Sequence, residues 1–157
     1  MTDTLAEVLF YHLELKPLDA VLPALVEKSV ERGWRAVIQA GSKERLEAID
    51  QLLWTFKESS FIGHGTARTG HAQLQPVYLT IESDNPNTAT VRFLVDRARL
   101  DDLPRELARY KRVVLMFDGN DADAVAEARA AWKAVKATGA SATYWQQNDA
   151  GGWVKKA

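Results

Sequence analysis

The sequence predicts an α/β protein with a mostly parallel sheet. Three observations carry that class. Strand, helix, strand and helix patterns alternate within about the first 55 residues, as in a βαβ unit. Val113-Val114-Leu115-Met116-Phe117 is continuously apolar, as central parallel strands are. A long helix pattern then precedes two short strand patterns at the end of the chain, so the sheet is mixed.

Each element has a local reason. Glu7 to Leu13 is a strand centred on Val8-Leu9-Phe10-Tyr11. Leu18 to Arg32 is a helix, with Leu18, Val21, Leu22 and Leu25 on one face and Gly33 as its stop. Pro23 is tolerable only in a first turn, which places the regular start near Leu22. Trp34 to Ala40 is a second strand. Ser42 is a candidate N-cap for a helix ending at Trp54. Ser59 to Gln75 is polar and glycine-rich and reads as a long loop, with room for a short strand at Phe61-Ile62. Pro76 to Glu82 and Thr90 to Val95 read as strands around the turn Asp84-Asn85-Pro86-Asn87, expected to pair as a hairpin. Leu103 to Tyr110 is a short helix and Arg112 to Phe117 a buried strand. Asp121 to Thr138 is the last helix, closed by Gly139. Ala142 to Gln146 and Gly152 to Lys156 form a closing pair of strands.

Composition narrows the function classes. The 157 residues are one domain's worth and can bury a substantial core. Cysteine is absent, which removes disulfides, thiolate zinc sites and cysteine nucleophiles and agrees with a reducing compartment. No basic N-terminal region leads into an apolar run, and no stretch of about 18 apolar residues occurs, so neither a secretory leader nor a transmembrane helix is expected. Net charge is −1 and pI about 6.3, which argues against broad DNA affinity.

Two surfaces stand out. Leu46, Ile49, Leu52 and Leu53 make the apolar face of the second helix. Trp54 lies about 130° from its centre at about 100° per residue. Phe61 follows just before Gly63-His64-Gly65. Either these aromatics anchor a partner or they fold back and bury. On the last helix, Val125, Ala128, Trp132 and Val135 share an apolar face, and Arg129, Lys133 and Lys136 form a basic stripe beside it. A stripe of cations beside an aromatic edge suits an acidic peptide with a hydrophobic end. It equally suits a solvated flank whose cations favour the negative end of the helix dipole.

Enzyme signatures are missing. After the first strand Tyr11-His12-Leu13-Glu14 stands where a Gly-x-Gly-x-x-Gly turn would bind a dinucleotide, and there is neither a P-loop nor a nucleophile elbow. His12, His64 and His71 form no ligand pair, so no metal is expected. Asp118, at a strand end, reads as a turn or cap residue. His64 with Asp50, and His71 across the glycine loop, is the one constellation that would support an alternative, a small α/β hydrolase.

The run Ile49-Asp50 to Leu53-Trp54-Thr55-Phe56, followed by Ser60-Phe61-Ile62-Gly63-His64-Gly65, resembles the chi subunit of bacterial DNA polymerase III, whose members carry LDxxLWTF and then SFxPHG. Gly63 stands where the family has proline. The resemblance extends through Phe10-Tyr11-His12-Leu13, Gln75-Pro76-Val77, Phe117-Asp118, Ala128-Arg129-Ala130-Ala131-Trp132-Lys133 and Gly151-Gly152-Trp153. It implies a Rossmann-like three-layer fold, with helices on both faces of a mostly parallel mixed sheet, in one domain over residues 1–157. It implies a non-catalytic, cytoplasmic accessory subunit that needs no cofactor and is a monomer on its own. Such a subunit touches DNA mainly indirectly. It links the clamp loader, through psi, to the acidic, Pro-Phe-ending tail of single-stranded-DNA-binding protein (SSB). By motif, Trp54 and Phe61 match the psi-facing aromatics. Arg129 matches the tail-binding arginine, Trp132 its aromatic neighbour and Lys133 the following lysine, while Lys136 keeps a cation one turn on. A lysine that some members carry one turn earlier is Val125 here.

Overall fold

The computed structural model describes residues 5–14, 17–55, 63–150 and 152–157. Strands are β1 (Glu7–Leu13), β2 (Ala36–Gln39), β3 (His64–Thr66), β4 (Val77–Thr80), β5 (Val91–Leu94), β6 (Arg112–Asp118), β7 (Ala142–Gln147) and β8 (Trp153–Lys155). Helices are α1 (Leu18–Glu31), α2 (Lys43–Thr55), α3 (Leu103–Leu107) and α4 (Ala122–Ala137), and a 3-10 turn spans Ala72–Leu74. The described strands form one sheet in the order β3-β4-β2-β5-β6-β1-β7-β8, parallel throughout except for β8 against β7.

Strand alternation divides the core between two faces. On one side Ala36, Ile38, Phe93 and Val114 meet Leu22 and Val26 of α1 and Ile49 and Leu53 of α2. On the other, Val8, Phe10, Val37 and Val113 meet Leu107 of α3 and Ala128 and Val135 of α4. Full burial of one such large side chain is worth about 1.5–3 kcal/mol. Helices therefore lie on both faces, as the α/β class requires.

Three expectations are corrected. The regular start of α1 is Leu18, not Leu22, and Pro23 lies beyond its first turn. The Pro17 carbonyl accepts from both Ala20 and Val21 and closes that turn, while Val21, Leu22 and Val26 bury the face. The third helix is shorter than expected and ends at Leu107. The strands around the Asp84-Asn85-Pro86-Asn87 turn make no hairpin: β4 and β5 lie on opposite sides of β2, both parallel to it. Their connection must recross the sheet, and buried polar groups hold it there. Asn87 Nδ2 donates to Ala36 O and to Gln75 O, both at 3.0 Å. Arg92, 0% exposed, donates to the Asp84 carbonyl at 2.9 Å and to the Glu82 carbonyl, to Tyr110 Oη at 3.0 Å, and through Nη2 to Gln39 Oε1 at 2.6 Å. A buried guanidinium is tolerable because its donors are satisfied. The strand expected at Phe61-Ile62 lies outside the described residues.

Candidate functional site

The flank of α4 that faces β7 is built from the helix outward. Asp121 caps the helix, its Oδ1 accepting from Asp123 N at 3.0 Å and Ala124 N at 3.3 Å. Asp118 instead begins the turn, accepting from Asn120 N at 2.8 Å. Ala124, Ala128 and Val135 are buried, Val125 and Trp132 are half-buried, and Arg129, Lys133 and Lys136 are exposed. The basic stripe thus borders the core edge, as the helical period requires. Trp132 sets its ring edge-on to Phe10 at 5.3 Å and to Tyr144 at 5.9 Å, and Lys136 Nζ sits 5.8 Å from the Trp132 ring centre. Among the described residues Arg129 and Lys133 have no ion-pair partner.

Sequence reasoning missed two members of this surface, Tyr144 and His12. Tyr144 Oη lies 2.6 Å from His12 Nδ1, and His12 Nε2 lies 3.2 Å from Glu14 Oε1. A neutral ring with its proton on Nε2 donates to Glu14 and accepts from Tyr144. Burial is the main force that holds the His12 pKa below its usual 6.5, and the Arg129 cation adds to it against the opposing pull of Glu14. Burial likewise raises the Tyr144 pKa, so its hydroxyl stays protonated. Gly119 makes the arrangement possible, since a Cβ there would stand 2.1 Å from the His12 ring. The available signal was alternation: Ala142, Tyr144 and Gln146 share the face that α4 covers.

The second surface lies where α2 meets β3. Trp54 is 50% exposed and packs on the His64 ring at 4.6 Å. The off-stripe position read from the helical period is therefore real, and the reading in which Trp54 buries does not hold. Phe61 lies outside the described residues. The structure brings His64 and Asp50 together, with Nε2 2.9 Å from Oδ1, but leaves His71 exposed just before the 3-10 turn. The His64 side chain is 0% exposed. A base that solvent does not reach cannot activate a water, so the pair braces α2 against β3 and the hydrolase reading finds no support. Gly63 has no left-handed φ, and a Cβ there would make ordinary contact with Pro76 Cγ at 3.5 Å.

A third feature is a crevice of about 540 Å³ at the C-terminal ends of β1 and β6. The connections on either side of that point run to opposite faces of the sheet, which is where doubly wound folds place ligands. Here Glu14, Asp19, Asp96, Asp118 and Asp121 line it. Its Arg45 and Arg97 are engaged by Asp96 at 3.1 Å and Glu127 at 2.7 Å. Such a lining repels a polyphosphate. Among the described residues no cluster of three or more His, Cys, Asp or Glu could hold a metal ion, and no helix is long and apolar enough to cross a membrane.

Residues 5–143 match the family described as DNA polymerase III chi subunit, HolC. A curated protein of Rickettsia prowazekii (strain Madrid E), named probable DNA polymerase III subunit chi, is 27% identical over 111 residues, covering 69% of this chain and 67% of that protein.

Proposed function

The chain belongs to the DNA polymerase III chi subunit family, and from that premise we propose that it is a non-catalytic, cytoplasmic adaptor. It ties the clamp loader, through psi, to SSB on single-stranded DNA, and the whole chain acts as one chi-like unit, monomeric until its partners bind. Psi docks on the Trp54 surface, which Phe61 completes. The α4 flank captures the acidic SSB tail: Arg129 pairs with its terminal carboxylate or a neighbouring aspartate, Lys133 and Lys136 hold further carboxylates, and the edge of Trp132 takes the terminal phenylalanine. DNA is reached mainly through SSB.

The observation that carries this reading is the pairing of two exposed cations with no ion-pair partner among the described residues, Arg129 and Lys133, with the half-buried edge of an aromatic cluster. Exposed cations beside an apolar surface favour an acidic peptide with a hydrophobic end over either feature alone. The interface is small, so a micromolar dissociation constant, about −8 kcal/mol, is expected. The test is titration of a fluorescent acidic peptide ending in Pro-Phe into wild type and Arg129→Ala at two salt concentrations. Binding weakens with salt and falls at least about tenfold, roughly 1.4 kcal/mol, in the variant. No binding to wild type, or equal binding to both proteins, would overturn the assignment of α4.

A further inference from the structure

The α4 flank has an opposite wall, and β8 supplies it. The antiparallel register pairs Trp145 with Lys155, Gln146 with Val154 and Gln147 with Trp153. Beyond Lys155 the pairing goes on through a bulge, with Lys156 N donating to Tyr144 O at 2.8 Å and Tyr144 N donating to Ala157 O at 3.1 Å, so Lys156 still lies against Tyr144. Directly opposed residues in an antiparallel pair share a face, and consecutive residues alternate. Trp153 packs on Tyr11 at 4.9 Å, on the α1 side. Lys155 therefore also projects to the α1 side. Val154 and Lys156 project to the α4 side, beside Gln146 and Tyr144. Val154 is 38% exposed and Lys156 is exposed.

Tyr144, Gln146 and Val154 thus share the α4 side of the β7–β8 pair, with Lys156 beside them on the edge strand. Arg129, Lys133 and Lys136 stand exposed on the helix above. Glu14, which meets this surface at Gln146, is engaged by Gln146 Nε2 at 2.7 Å and by His12. Cations on the helix and on the edge strand, with Tyr144 and Val154 between them, fit an extended acidic peptide that lies along β8 rather than one that touches α4 alone.

Resting on the tail-capture reading, we propose that the acidic peptide is held between α4 and β8, with Lys156 as its second-wall cation and Val154 as part of its floor. Lys155 is an internal control. It carries the same charge one residue away, but its side chain stands on the other face of the sheet, with the sheet between it and the site.

The same Pro-Phe-ending peptide is titrated into wild type, Arg129→Ala, Lys156→Glu and Lys155→Glu at 0.15 M salt, about one physiological ionic strength. Both lysine reversals change net charge equally and sit at exposed positions. Lys156→Glu is expected to weaken binding about tenfold and Lys155→Glu less than about twofold. Equal effects of the two reversals, or none from Lys156→Glu while Arg129→Ala still weakens binding, would overturn the β8 wall and leave the α4 assignment standing. No binding to wild type, or no loss in Arg129→Ala, would overturn the tail-capture reading and the β8 wall with it.

Discussion

Arg92→Met removes the guanidinium under the 81–90 connection and keeps most of the side chain's apolar volume. Four acceptors lose a donor: Gln39 Oε1, Tyr110 Oη and the carbonyls of Glu82 and Asp84. The two carbonyls belong to a surface loop and can turn to water. Gln39 and Tyr110 are buried and cannot. A buried acceptor left unmet costs about 1–3 kcal/mol, so the pair costs about 2–6 kcal/mol. Release of a desolvated cation returns part of this, because among the described residues Arg92 makes no ion pair. The net expectation is a loss of about 3 kcal/mol. At about 2–4 °C per kcal/mol for a chain of this size, the melting temperature falls about 6–12 °C. Urea unfolding reads the same quantity as a lower midpoint with an unchanged slope. Affinity for the acidic peptide stays the same, since none of the hydrogen bonds of Arg92 reaches a residue of α4. A loss below about 0.5 kcal/mol, or a gain, would refute the reasoning. It would mean that the desolvation of the guanidinium cancels its hydrogen bonds, and that something else holds the connection across β2.

Other expectations follow from single contacts. Gly63→Ala should stabilise by about 0.4–1 kcal/mol in urea unfolding, because the site has room and no left-handed φ, and the substitution stiffens the unfolded chain. Gly119→Ala should destabilise by about 1–3 kcal/mol in the same assay, because its Cβ meets the His12 ring at 2.1 Å. His12 makes stability depend on pH: its folded pKa lies below the usual 6.5, so the unfolded chain binds the proton first. Its contribution is complete above pH 6.5 and is lost as pH falls from there through the folded value, and His12→Gln should remove that slope from unfolding curves taken across the acid range. Trp54→Ala should cost psi binding at least about tenfold and leave peptide binding intact, because hot-spot aromatics at protein interfaces carry that much.

Much of the fold was legible because periodicity is a local signal. The seven residues of β1 and the cap at Ser42, whose Oγ accepts from Arg45 N at 3.2 Å, follow from short stretches of chain. The off-stripe place of Trp54 followed from the helical period, which left open whether the ring folds back and buries; the structure exposes it. What failed to show was set by distant residues. Arg92 in Val91-Arg92-Phe93-Leu94 looks like the outward residue of an alternating strand, and only the loop that crosses over it makes it buried. The same crossing turned an expected hairpin into two strands flanking β2, because a turn motif records where the chain bends and not which strand it meets. Tyr144 and His12 joined the α4 surface through β1–β7 pairing across more than a hundred residues, with their contact at 132 residues' separation.

The adaptor account requires its two surfaces to work at once. β3, beside Trp54, and β7, beneath Trp132, lie six strand spacings apart in the sheet order, about 29 Å at about 4.8 Å each. The most direct measurement is the affinity of the Pro-Phe-ending acidic peptide for the protein alone and for the protein saturated with psi. The account predicts micromolar binding in both cases, equal within about twofold. Displacement of the peptide by psi, or no peptide binding in either state, would contradict it.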